Sequence, residues 1–281
     1  YETGIAMRKI PAAIQRLHRE GRALAGKVIA AGGVIGKSKP LARALERANA
    51  ISAEVDAWVY EQTCGLLRDG KLPALLGGDH STPFGAIRAV AERHPGLGVL
   101  HIDAHADLRR AYEGFECSHA SIMYNVTTRI PEVARLVQVG IRDFSEEEFD
   151  RIAGSDGRIC THFDADQSRG AADGVSWSDQ VRRIVDDLPG LVYVSFDIDG
   201  LDPTLCPHTG TPVPGGLSFA QASALLAGVA ASGRKIVGVD LNEVVPGPRD
   251  EWDGNVGARV LYKLIGWMLL TQGLTHAPRA T

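Results

Sequence analysis

Leu191-Val192-Tyr193-Val194-Ser195-Phe196-Asp197-Ile198-Asp199-Gly200-Leu201-Asp202-Pro203 is an apolar run that ends in a pair of carboxylates and a turn. The run reads as a buried strand. Residues i and i+2 of an extended chain point the same way, so Asp197 and Asp199 share one face where the strand leaves its sheet. Like charges held that close repel unless a cation lies between them. Asp-Gly and Asp-Pro are also ordinary turn dipeptides, so this stretch alone does not decide function.

Two upstream segments repeat the pattern. Leu72-Pro73-Ala74-Leu75-Leu76 runs into Gly77-Gly78-Asp79-His80-Ser81, and Gly98-Val99-Leu100-His101-Ile102 runs into Asp103-Ala104-His105-Ala106-Asp107. In the second burst Asp103, His105 and Asp107 are spaced to converge from a strand end or the turn beyond it. Together the bursts supply two imidazoles (His80, His105) and four carboxylates (Asp103, Asp107, Asp197, Asp199). Imidazole with carboxylate and no thiolate argues against structural zinc and suits harder divalent ions, manganese above all; the same donors also accept nickel. Six donors exceed one tetrahedral site and fit two ions that share carboxylates.

The motifs GGDHS, DAHAD and SFDIDGLDP, in this order, resemble the ureohydrolase family of arginases, agmatinases, guanidinobutyrases and formimidoylglutamases. The resemblance runs from about Leu72 to about Ile265. It implies an arginase/deacetylase-like α/β fold, three layers with a mainly parallel sheet, and two Mn²⁺ per chain. It gives His80, Asp103, Asp107 and Asp197 to one ion, and Asp103, His105, Asp197 and Asp199 to the other. It also implies trimers or hexamers.

Alternating strands and helices after residue 70 agree with a parallel sheet covered on both faces. Strands are expected at 72–76, 98–102, 136–140, 158–162, 191–197 and 236–241, and helices at 82–93, 145–153, 177–187, 218–231 and 256–270. Leu41, Leu45, Ala48, Ile51, Val55 and Val59 recur near helical spacing and predict one long helix over 41–69. Residues 21–40, rich in Gly and Lys, read as a loop with a strand at Lys27 to Ala31. Every donor burst follows a strand, and the crevice beyond the carboxyl ends of parallel strands is where sites assemble. Without a repeat or low-complexity linker, 1–281 is expected to be a single domain. Family members carry a Gly-Pro loop well before GGDHS; none occurs here before residue 76, so the amino-terminal part departs from the pattern or lacks its beginning.

The chain has 281 residues, 44% of them hydrophobic, and 30 basic against 34 acidic residues. No basic block suggests nucleic acid or a membrane surface, and no apolar run reaches the roughly 18 residues that span a bilayer. Cys64, Cys117, Cys160 and Cys206 are scattered, as in a reducing cytoplasm.

A guanidinium carbon is a poor electrophile, since three nitrogens feed electron density into it. Two divalent ions sharing one water bring its pKa down from about 15.7 towards about 7. Asp199 has one oxygen for metal and a second to hold that nucleophile. His119, in Ser118-His119-Ala120-Ser121, matches the loop position of a family proton-shuttling histidine, and a pKa near its usual ~6.5 suits that role. Glu243, after the strand 236–241, matches the acid that pairs with the substrate guanidinium, and Thr211 is expected to line the same pocket. Asp79, Asp202 and Asp240 read as supporting or turn residues.

Within the resemblance, arginases carry an Asn soon after DAHAD and a second acid where this chain has Ser145. Both departures argue against arginine. Tyr112-Glu113-Gly114 followed by Ser118-His119-Ala120-Ser121 is more similar to agmatinases. Agmatine, split to putrescine and urea, is therefore the expected substrate, with guanidinobutyrate, guanidine and arginine as alternatives. Formimidoylglutamases share the Leu108-Arg109 pair that follows DAHAD but generally lack the loop histidine. Arg109 or Arg110 would favour a guanidino acid if either met a substrate carboxylate. Two other classes remain open on the residues: a non-enzymatic metal-binding protein, and a single-zinc deacetylase-like hydrolase.

Overall fold

The computed structural model describes residues 4–275. Six strands, β1 (Ala74–Leu76), β2 (Leu97–Ile102), β3 (Val133–Ile141), β4 (Ile159–Phe163), β5 (Leu191–Asp197) and β6 (Lys235–Asn242), pair in one all-parallel sheet. Their order is β1-β6-β5-β2-β3-β4. The central strands are apolar on both faces because both are covered. On β2, Leu97 and Val99 enter one core while Leu100 and Ile102 enter the other. The first core is closed by α3 (Phe84–Arg93) and α4 (Ile122–Arg129), the second by α7 (Trp177–Asp186), α8 (Phe219–Ala231) and α9 (Trp252–Thr271). Each wholly buried Leu, Ile or Phe contributes ~1.5–3 kcal/mol relative to exposure, so burial on two faces fixes the layer order.

The remaining helices are α1 (Ala12–Ile29), α2 (Lys39–Arg68), α5 (Glu146–Ala153) and α6 (Asp164–Ala172). The expected long helix is α2, started by Ser38, whose hydroxyl accepts from Leu41 N–H, with a proline in the first turn. The expectation of a loop and strand over 21–40 fails: helix continues to Ile29. Gly21 and Gly26 weaken it, but Ile14, Leu17, Leu24 and Val28 form a stripe against α2. A Cβ on Gly21 would lie 3.2 Å from Ile51 Cγ2, so this glycine lets the two helices approach. Among the described residues no helix is long and apolar enough to cross a membrane.

In the sheet, β5 lies beside β2, but β1 is separated from β5 by β6. The chain leaving β1 must therefore cross the end of β6 to bring His80 to the centre. Gly77 N–H donates to Leu241 O at 3.0 Å and Glu243 N–H donates to Gly78 O at 2.8 Å, which fastens this crossing. A Cβ on Gly77 would lie 2.1 Å from Asn242 Oδ1, so only glycine fits there.

Candidate metal centre and its surroundings

The three donor bursts converge at the carboxyl ends of β1, β2 and β5. His80 Nδ1 faces Asp103 Oδ2 at 2.9 Å, Asp197 Oδ2 at 3.2 Å and Asp107 Oδ2 at 3.4 Å. His105 Nδ1 faces Asp199 Oδ2 at 3.1 Å and Asp103 Oδ1 at 3.4 Å. The two oxygens of Asp103 are thus divided between the two histidines, as a bridging carboxylate requires. Asp197 meets His80 through Oδ2, while its Oδ1 accepts Asp199 N–H at 2.9 Å. Asp199 Oδ1 accepts Ala104 N–H at 3.0 Å, so the second oxygen expected to hold a nucleophile keeps one lone pair for it. Asp107 reaches the cluster from a left-handed backbone, φ 54°.

Hydrogen bonds behind the cluster set its polarity. Ser195 Oγ–H donates to Asp240 Oδ1 at 3.0 Å, so its oxygen accepts from His80 Nε2–H at 2.9 Å. That arrangement places a proton on Nε2 and aims Nδ1, the atom a metal would take in exchange for a proton, at three carboxylates. Against burial, the bonds to Asp103 and Asp197 raise the His80 pKa well above its usual value and those to Asp103 and Asp199 raise His105 to about 11. The cluster thus calls for positive charge, and among the described residues no Lys or Arg side chain enters it. Burial and the neighbouring carboxylates push Asp197 and Asp107 well above the usual range. His80, His105, Asp103, Asp107, Asp197 and Asp199 are accordingly a donor set that fits divalent cations.

A second chain of donors runs along the sheet and was not singled out from sequence. In register, Asp240 lies beside Ser195, Ser195 beside His101, His101 beside Gln138 and Gln138 beside Thr161. Thr161 Oγ1–H donates to Gln138 Oε1 at 2.9 Å, Gln138 Nε2–H to His101 Nδ1 at 3.0 Å, and His101 Nε2–H to Asp103 Oδ2 at 2.9 Å. Burial lowers the His101 pKa and so favours this neutral donor form. The sequence traces are Asp240, which reads as a supporting residue, and a histidine within an apolar strand, which looks like a satisfied core residue until the strands are aligned.

Glu243 lies against the cluster. Its Oε1 accepts His80 N–H at 2.8 Å, and its backbone is left-handed, φ 60°. Burial lifts its carboxyl to about 7. Thr209 is buried and its Oγ1–H donates to Glu243 O at 2.9 Å, whereas Thr211 is exposed further along the same segment. His119 opens a short 3₁₀ turn, His119–Ser121; burial lowers its pKa, with the charges of Asp79, His105, Asp103 and His80 all felt there.

Ser145 caps α5 in a capping box: its Oγ accepts Glu148 N–H, and Glu148 Oε2 accepts Ser145 N–H at 2.8 Å. Glu148 is buried and also accepts Leu108 N–H at 3.0 Å. Arg109 Nε lies 3.6 Å from Glu148, and its guanidinium stacks over Tyr112 at 5.4 Å. Asp79 accepts Ser81 N–H at 3.1 Å and Asp202 accepts Thr204 N–H at 2.8 Å, both as turn carboxylates. All four cysteines are free.

Comparison with known proteins agrees with this geometry. The chain is 37% identical over 207 residues to proclavaminate amidinohydrolase of Streptomyces clavuligerus, covering 71% of this chain and 64% of that protein. It is 36% identical over 215 residues to N(1)-aminopropylagmatine ureohydrolase of Thermus thermophilus, 76% of this chain and 69% of that one. It thus spans about two-thirds of the length of these curated relatives. The crystal structure of agmatine ureohydrolase of Thermoplasma volcanium shares the fold, with a TM-score of 0.66, 26% identity, and coverage of 79% of this chain and 71% of that one. Residues 37–266 match the Arginase family, and they contain the whole sheet and every donor of the cluster; the chain belongs to that family.

Proposed function

We infer that this chain is a divalent-metal hydrolase that releases urea from a guanidino compound, with agmatine as its preferred substrate. The observation that carries the reading is the convergence of His80 Nδ1 and His105 Nδ1 on Asp103, Asp107, Asp197 and Asp199 in one buried cluster that no Lys or Arg side chain enters among the described residues. His80, Asp103, Asp107 and Asp197 would hold one ion and Asp103, His105, Asp197 and Asp199 the other. Bound manganese would supply an acidified water at neutral pH.

The chain's own residues do the rest. Glu243 has one oxygen held by His80 N–H and presents the other to a guanidinium, a pairing of opposite charges in a half-buried setting. His119, on the loop beyond β2, is the group we assign to give the departing amine its proton, and the lowered pKa of its imidazole makes it a stronger acid than a free histidine. Ser145 carries no charge of its own for an α-amino group, and its hydroxyl and N–H are both spent on Glu148 Oε2. This favours a substrate without the amino-acid head. The similarity to N(1)-aminopropylagmatine ureohydrolase of Thermus thermophilus supports this reading, whereas proclavaminate amidinohydrolase of Streptomyces clavuligerus is named for a different substrate.

Agmatine, arginine, guanidinobutyrate, guanidine and formimidoylglutamate, each assayed for urea, ammonia or formamide with Mn²⁺ and separately with Ni²⁺, test the proposal. Agmatine is expected to give the highest kcat/KM, and Asp103→Asn to give none. Dominance of arginine would overturn the substrate argument, and no product from any compound would favour a non-enzymatic metal-binding role. Trimers or hexamers are expected by light scattering.

A further inference from the structure

The loop that leads to His119 is held by a part of the chain that lies outside the donor motifs. At its apex, Glu113 and Gly114 are both left-handed, with φ of 52° and 85°. Tyr112 and Phe115 close the turn with two reciprocal backbone bonds, Tyr112 N–H to Phe115 O at 3.1 Å and Phe115 N–H to Tyr112 O at 2.8 Å. Successive positive φ values make a tight two-residue turn, and the conformation is disfavoured at Glu113, which has a Cβ. Such a turn needs support from its surroundings.

The support comes from α2. Asn49 Nδ2–H donates to Gly114 O at 3.2 Å, and Asn49 Oδ1 accepts Glu116 N–H at 3.2 Å. One amide thus grips both sides of the apex as a neighbouring strand would. One turn earlier on α2, Leu45 covers Gly114 so closely that a Cβ there would lie 2.7 Å from Leu45 Cδ2. Two turns later, Asp56 accepts a bond from the Cys117 thiol. Leu45, Asn49 and Asp56 lie at helical spacing on one face, which sits against residues 113–117. From the grip the path to the site is short: the Tyr112 ring, on the flank of the turn, meets His119 edge-on with centroids 5.6 Å apart.

We propose that Asn49 is a positioning residue, which fixes the Glu113–Gly114 turn and through Tyr112 sets the ring of His119 for proton delivery. This rests on the proton-transfer role given to His119 above. It also gives α2 a task in the reaction without any contact with substrate.

Trypsin provides a readout independent of activity, because Arg110 is exposed on the same loop. In N49A, cleavage after Arg110 is expected to speed up about tenfold, because the turn opens locally without global unfolding. The kcat is expected to fall about tenfold while KM and metal per chain stay within about twofold. N49D, which keeps the acceptor for Glu116 N–H, should fall between, and it replaces N49A if that variant does not fold. In an H119N background N49A should cost less than about twofold more, since the two act through one group. Unchanged cleavage in N49A, or an undiminished kcat loss in H119N, overturns the proposal. If H119N alone keeps full kcat, the proton-transfer reading falls, and the positioning role for proton delivery falls with it; the cleavage rate still reports separately whether Asn49 holds the loop.

Discussion

Ser195→Ala separates a metal centre with an imposed tautomer from a chance gathering of polar residues. The Ser195 hydroxyl lies 2.9 Å from His80 Nε2 and 3.0 Å from Asp240 Oδ1, and the residue is wholly buried. Truncation affects its two partners unequally. Asp240 Oδ1 still accepts from Phe196 N–H at 3.2 Å and from Asn242 Nδ2–H at 2.6 Å. His80 Nε2–H has no other acceptor among the described residues, so the cost falls on the imidazole. A buried donor without a partner costs about 1–3 kcal/mol. His80 can avoid that cost by moving its proton to Nδ1, but that proton then occupies the lone pair a metal needs. Metal affinity should therefore drop by about 10–100-fold, the range for loss of a ligand's outer hydrogen bond and equivalent to about 1.4–2.8 kcal/mol. Titration calorimetry with Mn²⁺ on metal-stripped protein measures it, with the melting temperature of the stripped protein as control. Affinity within twofold of the parent would refute the tautomer argument.

Two further perturbations probe other groups. Asp56, on α2 beside Cys117, has its carboxyl raised from 3.8 to about 7 by burial, against the opposing pull of Arg129 and the Cys117 thiol. A raised carboxyl pKa means the folded state holds the proton more tightly, so this contribution is complete below pH 3.8 and is lost as pH rises through about 7. At 1.36 kcal/mol per pH unit the loss has a ceiling of about 4 kcal/mol, and Asp56→Asn escapes it. Denaturant unfolding should show the variant gaining stability over the parent at pH 8 and that gain shrinking towards pH 4; a difference constant with pH would contradict it. Glu243→Gln removes a charged hydrogen bond of about 1.5–3 kcal/mol to a guanidinium, so kcat/KM should fall by about 10–150-fold with metal content unchanged. Loss of bound metal in that variant would place Glu243 in the metal centre instead.

Most of the fold was legible because the strands are short apolar runs, each ending in polar residues. Strand 191–197 coincides with its predicted bounds, and the helices 177–186 and 219–231 lie within a residue of theirs. What escaped depended on partners distant in sequence. α4 contains Val126, Thr127 and Thr128, weak helix formers, and it is held by Ile122, Met123 and Val126 packing into the core. α6 is short and barely amphipathic, with Gly170 near its end. α1 was obscured by Gly21 and Gly26, and the use of Gly21 becomes clear only against Ile51. In the candidate site, the donors stood out as bursts of His and Asp beyond strand ends. Of the row Asp240, Ser195, His101, Gln138 and Thr161 only Asp240 did, as a supporting residue, because periodicity in one strand says nothing of the register with the next.

Anomalous diffraction from crystals of the manganese-loaded chain tests the central claim most directly. Two peaks are predicted per chain, one beside His80 Nδ1 and one beside His105 Nδ1, with Asp103 between them. No peak there, or metal bound elsewhere with these side chains still bonded to one another, would contradict it.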